Sequence, residues 1–172
     1  MDGDPHPLDR WSFRVGTAMA MELGGKAFFP FGGPPYQPFL TWAKKAERLN
    51  SSMIGMLMHG EYGLWHAYRF AIAFPDEVPM MDVSDNPLMD VCANCIDQPC
   101  LTSCPVGAFE KEGYDVESCY RHIDNKLDNS CMNQGCLARR ACPQGSEFLY
   151  QDTHAQFHMT QFLASMKLRF AE

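Results

Sequence analysis

Long apolar runs, basic stripes and glycine-rich phosphate loops are all missing from this 172-residue chain. No stretch approaches the roughly 18 to 20 apolar residues that span a bilayer. The longest candidate, "LWHAYRFAIAF", is shorter and carries His66 and Arg69. The opening "MDGDPHPLDRW" has neither a basic region nor an apolar run, so no secretory signal is expected. Basic residues are scarce: residues 1–91 hold 11 acids and 7 bases, residues 92–172 hold 10 and 7, and the formal charge is −7. Nucleic-acid binding needs a basic patch or stripe, so it is not expected. The acidity instead suits an ordinary solvated surface or a face for a basic partner. No GxxxxGK[ST] pattern occurs, and Pro34-Pro35 removes N–H groups from the glycine-rich "KAFFPFGGPPYQPF", which therefore reads as a rigid turn. A cytoplasmic location is expected, where thiols stay reduced.

Cysteine is absent from residues 1–91 and again from 143–172. All eight cysteines lie between Cys92 and Cys142. That distribution suggests three parts: a scaffold over 1–91, a cysteine module over 92–145, and a C-terminal helix over 146–172 packing on the scaffold. Hydrophobic residues make up 46 % of the chain, enough for a core.

In the scaffold, "LDRWSFRVGTAMAMELGG" predicts a helix with Trp11, Val15, Ala18 and Leu23 on one face, stopped by Gly24-Gly25. "PFLTWAKKAERLN" predicts a second, with Pro38 near its first turn. "MIGMLMHGEYGLWHAYRFAIAF" predicts a β-hairpin or strand pair turning at Gly60–Gly63, with Met53, Met56 and Met58 as core filling. "PDEVPMMDVSDNP" reads as a linker. Near the end, Phe157, Thr160/Gln161, Ala164 and Leu168 predict an amphipathic helix. It carries His154 and His158 at i, i+4, a spacing that can bind metal, though no HExxH pattern accompanies it. The fold class expected is α+β.

The cysteines form two sets, Cys92-x2-Cys95-x4-Cys100-x3-Cys104-Pro105 and Cys119-x11-Cys131-x4-Cys136-x5-Cys142-Pro143. Disulfides need an oxidising compartment. Zinc knuckles come as paired CxxC motifs, and only one CxxC is present. A catalytic thiol needs one or two cysteines beside a base, not eight. Two sets of four thiolates ending in Cys-Pro suit two cubane iron–sulfur clusters. The bacterial ferredoxin run C-x2-C-x2-C-x3-C-P has the same ending, and its fourth cysteine ligates the other cluster. This chain departs from that run by its x4 gap and its stretched second set.

The stretched form resembles the dicluster ferredoxin-type module of epoxyqueuosine reductases and reductive dehalogenases. There an isolated cysteine in a short helix follows the first run, and three more follow after a gap. Cys119 in "VESCYRH" matches the isolated one; Cys131, Cys136 and Cys142-Pro143 match the later group. The resemblance covers roughly residues 50–145. It implies one [4Fe–4S] cluster on Cys92, Cys95, Cys100 and Cys142, and a second on Cys104, Cys119, Cys131 and Cys136. Those enzymes carry a longer N-terminal part for cobalamin and substrate, which is not matched here.

The function expected is electron transfer, as a ferredoxin-like carrier or redox subunit with a redox partner protein. Alternatives are a small reductase with flavin or cobalamin beside the clusters, and a cluster-based iron- or oxygen-responsive regulator. For the reductase, His59, Tyr62, His66 and Tyr68 are the only local acid–base candidates, and core or hairpin packing is the favoured role for them. No catalytic residue is assigned. Two oxidised cubanes of about −2 each would take the formal charge to about −11. Arg121, Arg139 and Arg140 are placed to soften it or simply lie on helix surfaces. Gly107 and Gly135 are expected to allow tight turns near the ligands.

Overall fold

A computed structural model describes residues 4–47, 49–77, 91–110, 113–125 and 130–171. The fold is α+β, with helices and three two-stranded antiparallel sheets among these residues. No helix among them is long and apolar enough to cross a membrane. The chain divides into two compact units, Met1–Arg48 with Ala67–Pro87, and Leu49–His66 with Leu88–Glu172. The second therefore combines the cysteines with a segment that sequence composition assigns to the scaffold. The linker expected over 75–87 lies largely outside the described residues.

In the first unit, α1 (Pro7–Glu22) starts with proline in its first turn, and Gly24 follows it at φ +68. Its buried residues are Ser12, Gly16 and Ala20, while Trp11 and Leu23 are about half exposed. The buried face is thus rotated from the one the large side chains predict. Small residues four apart leave a seam into which aromatic rings fit: a Cβ on Gly16 would lie 2.8 Å from the Phe70 ring. Phe29 stands beside Phe13, Phe31 and Phe70 at centroid distances of 5.0, 5.3 and 6.4 Å. Arg69 fixes the seam, donating to Ser12 Oγ (3.1 Å) and Asp9 (2.6 Å). β1 (Lys26–Phe28) pairs with β4 (Ala71–Ala73), and α2 (Phe39–Glu47) sets Trp42 against Phe28 and Phe39.

The hairpin expected over 53–74 does not form as one. The turn is present, with a bridge between His59 and Gly63, but its arms part. β3 (Leu57–Met58) pairs backwards with β2 (Asn50–Ser51), and β4 pairs with β1. The cause lies in the residues after the turn. Leu64 and Trp65 are 1 % and 7 % exposed, so burial in the second unit draws the chain out of strand pairing. Met58 is buried and Met56 packs on the core, whereas Met53 is 46 % exposed.

The second unit's core is Ile54, Met58, Leu64, Ala138 and Cys142, with other cysteines packed against it. Its elements are short: α3 (Pro99–Thr102), β5 (Phe109–Glu110), β6 (Gly113–Tyr114), α4 (Val116–Asp124), α5 (Ser130–Gln134), α6 (Leu137–Arg140) and a 3-10 turn at Ser146–Phe148. α4 is capped by Asp115, which accepts from Ser118 N–H at 3.0 Å. α7 (Asp152–Arg169) packs on α5 and α4. Its buried residue is Ala155, and Leu168 is 80 % exposed. Gly135, at φ +86, decides this: a Cβ there would lie 2.9 Å from that of Ala155. Lys167 and Asp124 pair at 2.8 Å across α7 and α4.

Two glycines lock the turn at 60–63 onto the backbone after Cys142-Pro143. Gly63 (φ +55) faces the Gln144 carbonyl, and a Cβ on Gly145 (φ +69) would lie 2.5 Å from the Tyr62 carbonyl carbon. Gln144 Nε2 donates to the Gly60 carbonyl across the same crossing. A side chain at either glycine meets both a left-handed backbone and a wall of main chain. Gly63→Ala and Gly145→Ala are each expected to destabilise by about 3 kcal/mol or more. Gly55→Ala, also at positive φ but in open space, should cost only about 1 kcal/mol. Denaturant midpoints check the contrast, and equal losses at all three would refute the crossing.

Candidate functional site

None of the eight cysteines is in a disulfide. Cys92 and Cys95 sit on one turn, where Cys95 N–H donates to the Cys92 carbonyl at 3.2 Å. Gln98 then adopts a left-handed φ of 40, and Pro99 opens α3, which presents Cys100. Cys142 follows α6 in the chain. Burial raises the Cys100 thiol pKa, and Cys142, Cys92 and Cys95 raise it further. Burial likewise raises Cys142; the Gln144 N–H opposes this, and Cys92 and Cys95 add to it. The four line a cavity of about 250 Å³ whose walls include Ile54, Met58, Leu64 and Val91.

The other four thiols interact among themselves. Cys104 follows α3, Cys119 lies on α4, Cys131 on α5, and Cys136 caps the start of α6. Burial raises Cys119, Tyr114 opposes by hydrogen bonding, and Cys104 and Cys131 raise it again. Burial pushes Cys136 up to about 11; the Arg139 and Ala138 N–H groups oppose this, while Cys131 and Cys119 reinforce it. Cys104 Sγ accepts from Ala108 N–H at 3.3 Å. The thiols thus fall into two quartets, with each run lending one cysteine to the other.

This arrangement has a chemical consequence. Cys100, Cys142, Cys119 and Cys136 resist ionisation, because burial and neighbouring thiolates both favour the protonated form. A cationic centre reverses that balance and lets the thiolates coexist. No group of three or more His, Cys, Asp or Glu among the described residues is arranged to hold a metal ion.

Sequence reasoning missed Tyr114. Burial raises its pKa, with the hydrogen bond to Cys119 and then the Cys119, Cys136 and Cys104 charges adding to it. Tyr114 stacks on Phe109 at 4.9 Å across the β5–β6 pair. Its place five residues before Cys119, ahead of a capping Asp, was the available signal. The three arginines separate. Arg121 pairs with Glu117 on the surface. Arg140 donates to the Gln134 and Tyr150 carbonyls and lies 3.7 Å from Asp152. Arg139 donates to the Leu64 carbonyl through Nε (3.1 Å) and Nη2 (2.5 Å), and covers the rings of Trp65 (4.2 Å) and Tyr150 (4.7 Å).

The acid–base candidates build local structure. His59 Nδ1 accepts from the N–H groups of Glu61 and Tyr62, and its ring stacks on Tyr62 at 4.6 Å. His66 Nδ1 lies 3.1 Å from the Gly63 carbonyl. Tyr68 belongs to the first unit, where it donates to Glu47 at 2.7 Å. Gly107 (φ +59) and Gly135 (φ +86) both occupy left-handed turns.

No protein-family model, curated protein or solved structure matches the chain.

Arg139→Leu leaves the Leu64 carbonyl without its donor and removes a cation from two ring faces. A loss of about 2–4 kcal/mol is expected by denaturant unfolding. Arg121→Ala should change stability by less than about 0.5 kcal/mol.

Proposed function

We propose that this chain is an iron–sulfur protein holding two [4Fe–4S] clusters and transferring single electrons, as a carrier or as the redox subunit of a larger assembly. The observation that supports this most is the crossed division of the thiols, Cys142 with Cys92, Cys95 and Cys100, and Cys104 with Cys119, Cys131 and Cys136. Four cysteines per cluster is the ligand set such clusters take, and exchange of the fourth between runs is the ferredoxin device. The donor set fits the group in a second respect: the first quartet lines a cavity with apolar walls.

When bound, each cluster supplies a one-electron couple whose potential the protein sets. The residues of this chain govern that setting. Ala108 N–H at Cys104, the Gln144 N–H at Cys142 and the Tyr114 hydroxyl at Cys119 draw electron density from sulfur, which raises a potential. Ile54, Met58, Leu64 and Val91 keep water from the first quartet, which disfavours added negative charge and lowers a potential. No proton transfer or nucleophilic attack is needed for electron exchange.

After anaerobic reconstitution, about eight irons and eight sulfides per chain are expected, with a broad charge-transfer band near roughly 400 nm. Cys142→Ser should lose the cluster of the early run and keep about four irons on the other quartet. Tight zinc with no sulfide would overturn the proposal. Loss confined to the cluster on Cys119, Cys131 and Cys136 would overturn the crossed ligation.

A further inference from the structure

A second metal-binding chemistry lies outside the thiols, on α7. His154 and His158 stand one turn apart, where i and i+4 side chains meet. Their Nε2 atoms approach to 3.0 Å, and their ring centroids lie 4.8 Å apart. The rings are held in place. Tyr150 stacks on His154 at 4.0 Å with an interplanar angle of 21°, and on His158 at 5.5 Å with 25°. Phe157 meets His158 edge-on at 5.6 Å. Tyr150 is itself fixed by Trp65, T-shaped at 5.1 Å, and by the Arg139 guanidinium. Its backbone carbonyl accepts from Arg140 at 3.2 Å. Both histidines precede the helix middle, so fraying at the C-terminal end of α7 leaves them in register.

We propose that His154 and His158 form a two-histidine chelate for a divalent late transition cation of tetragonal or octahedral preference, nickel(II) or copper(II) in chemical class. The separation permits such a chelate. A metal about 2.05 Å from each of two nitrogens 3.0 Å apart subtends an angle of about 94°. That is close to the angle of adjacent positions in square-planar and octahedral fields, which these ions offer. Imidazole nitrogen suits these ions, and the metal-free pair shares one Nε2 proton between the rings. On binding, that proton moves to Nδ1 of the same ring through solvent, and both Nε2 lone pairs turn to the metal. No third His, Cys, Asp or Glu among the described residues completes the set, so water fills the remaining positions. The site therefore stays open to exchange or to a donor from a partner.

Nickel(II) is the probe, because copper(II) also oxidises thiols. Calorimetric titration of the full chain under anaerobic conditions compares the parent with His154→Gln, His158→Gln and His6→Gln. Any nickel held by thiols is common to all four and cancels. The parent and His6→Gln should show one site per chain that each α7 substitution weakens at least tenfold, with helix content by circular dichroism unchanged. Identical isotherms for the parent and both α7 variants would overturn the chelate, as would an equal loss in His6→Gln.

Discussion

The second unit is organised by the difficulty of burying thiols beside one another. A buried thiolate is disfavoured by desolvation, and a second nearby disfavours it again. Both terms act on Cys100, Cys119, Cys136 and Cys142. The elements that carry these residues have little stability of their own. α3 and α6 have four residues each and α5 has five, far below the length at which a helix persists alone. Their conformation depends on packing around Ala138 and Cys142. In the proposed dicluster protein, ligation is then folding energy as much as redox equipment.

Cysteine-free sequence supplies the clamps for this arrangement. The segment 49–66 contributes Ile54, Met58 and Leu64 to the core. It also contributes the Leu64 carbonyl to Arg139 and the Gly60–Gly63 turn to the backbone after Cys142. Because Gly63 and Gly145 meet main chain to main chain, this approach cannot be relaxed by a rotamer change. The position of Cys142 is thereby tied to a turn about 80 residues earlier in the chain.

Much of the local structure was legible in the sequence, and the misses share one cause. Helices α1, α2 and α7 announced themselves by proline, glycine and apolar spacing. Their buried faces did not, because small residues define them: Ser12, Gly16 and Ala20 on α1, and Ala155 against Gly135 for α7. Periodicity arguments weight large side chains, whereas a close approach is decided by what is missing at Cβ. The hairpin failed for a related reason, since burial of Leu64 and Trp65 outweighed pairing across a good turn. At the site, residue identity and spacing pointed to the thiols. Tyr114 offered only its place shortly before Cys119 and a capping Asp, because its role comes from a two-residue strand beside α4.

The arginines show how little a sequence neighbour reveals about electrostatics. All three lie within three residues of a cysteine, yet Arg121 spends its charge on Glu117, and Arg140 pairs with Asp152 and two carbonyls. Among the described residues, Arg139 has a carbonyl and two ring faces as partners, none of them a full negative charge. It stands between Cys136 of one quartet and Cys142 of the other in sequence, and is only partly exposed. A guanidinium so placed is screened less than one in bulk water. In the proposed protein it favours the more negative, reduced state of an adjacent cluster. The same side chain holds the 49–66 segment through Leu64, so fold and potential share one cation. Substitution by an uncharged residue would move both, whereas lysine would keep the charge and give up the forked geometry.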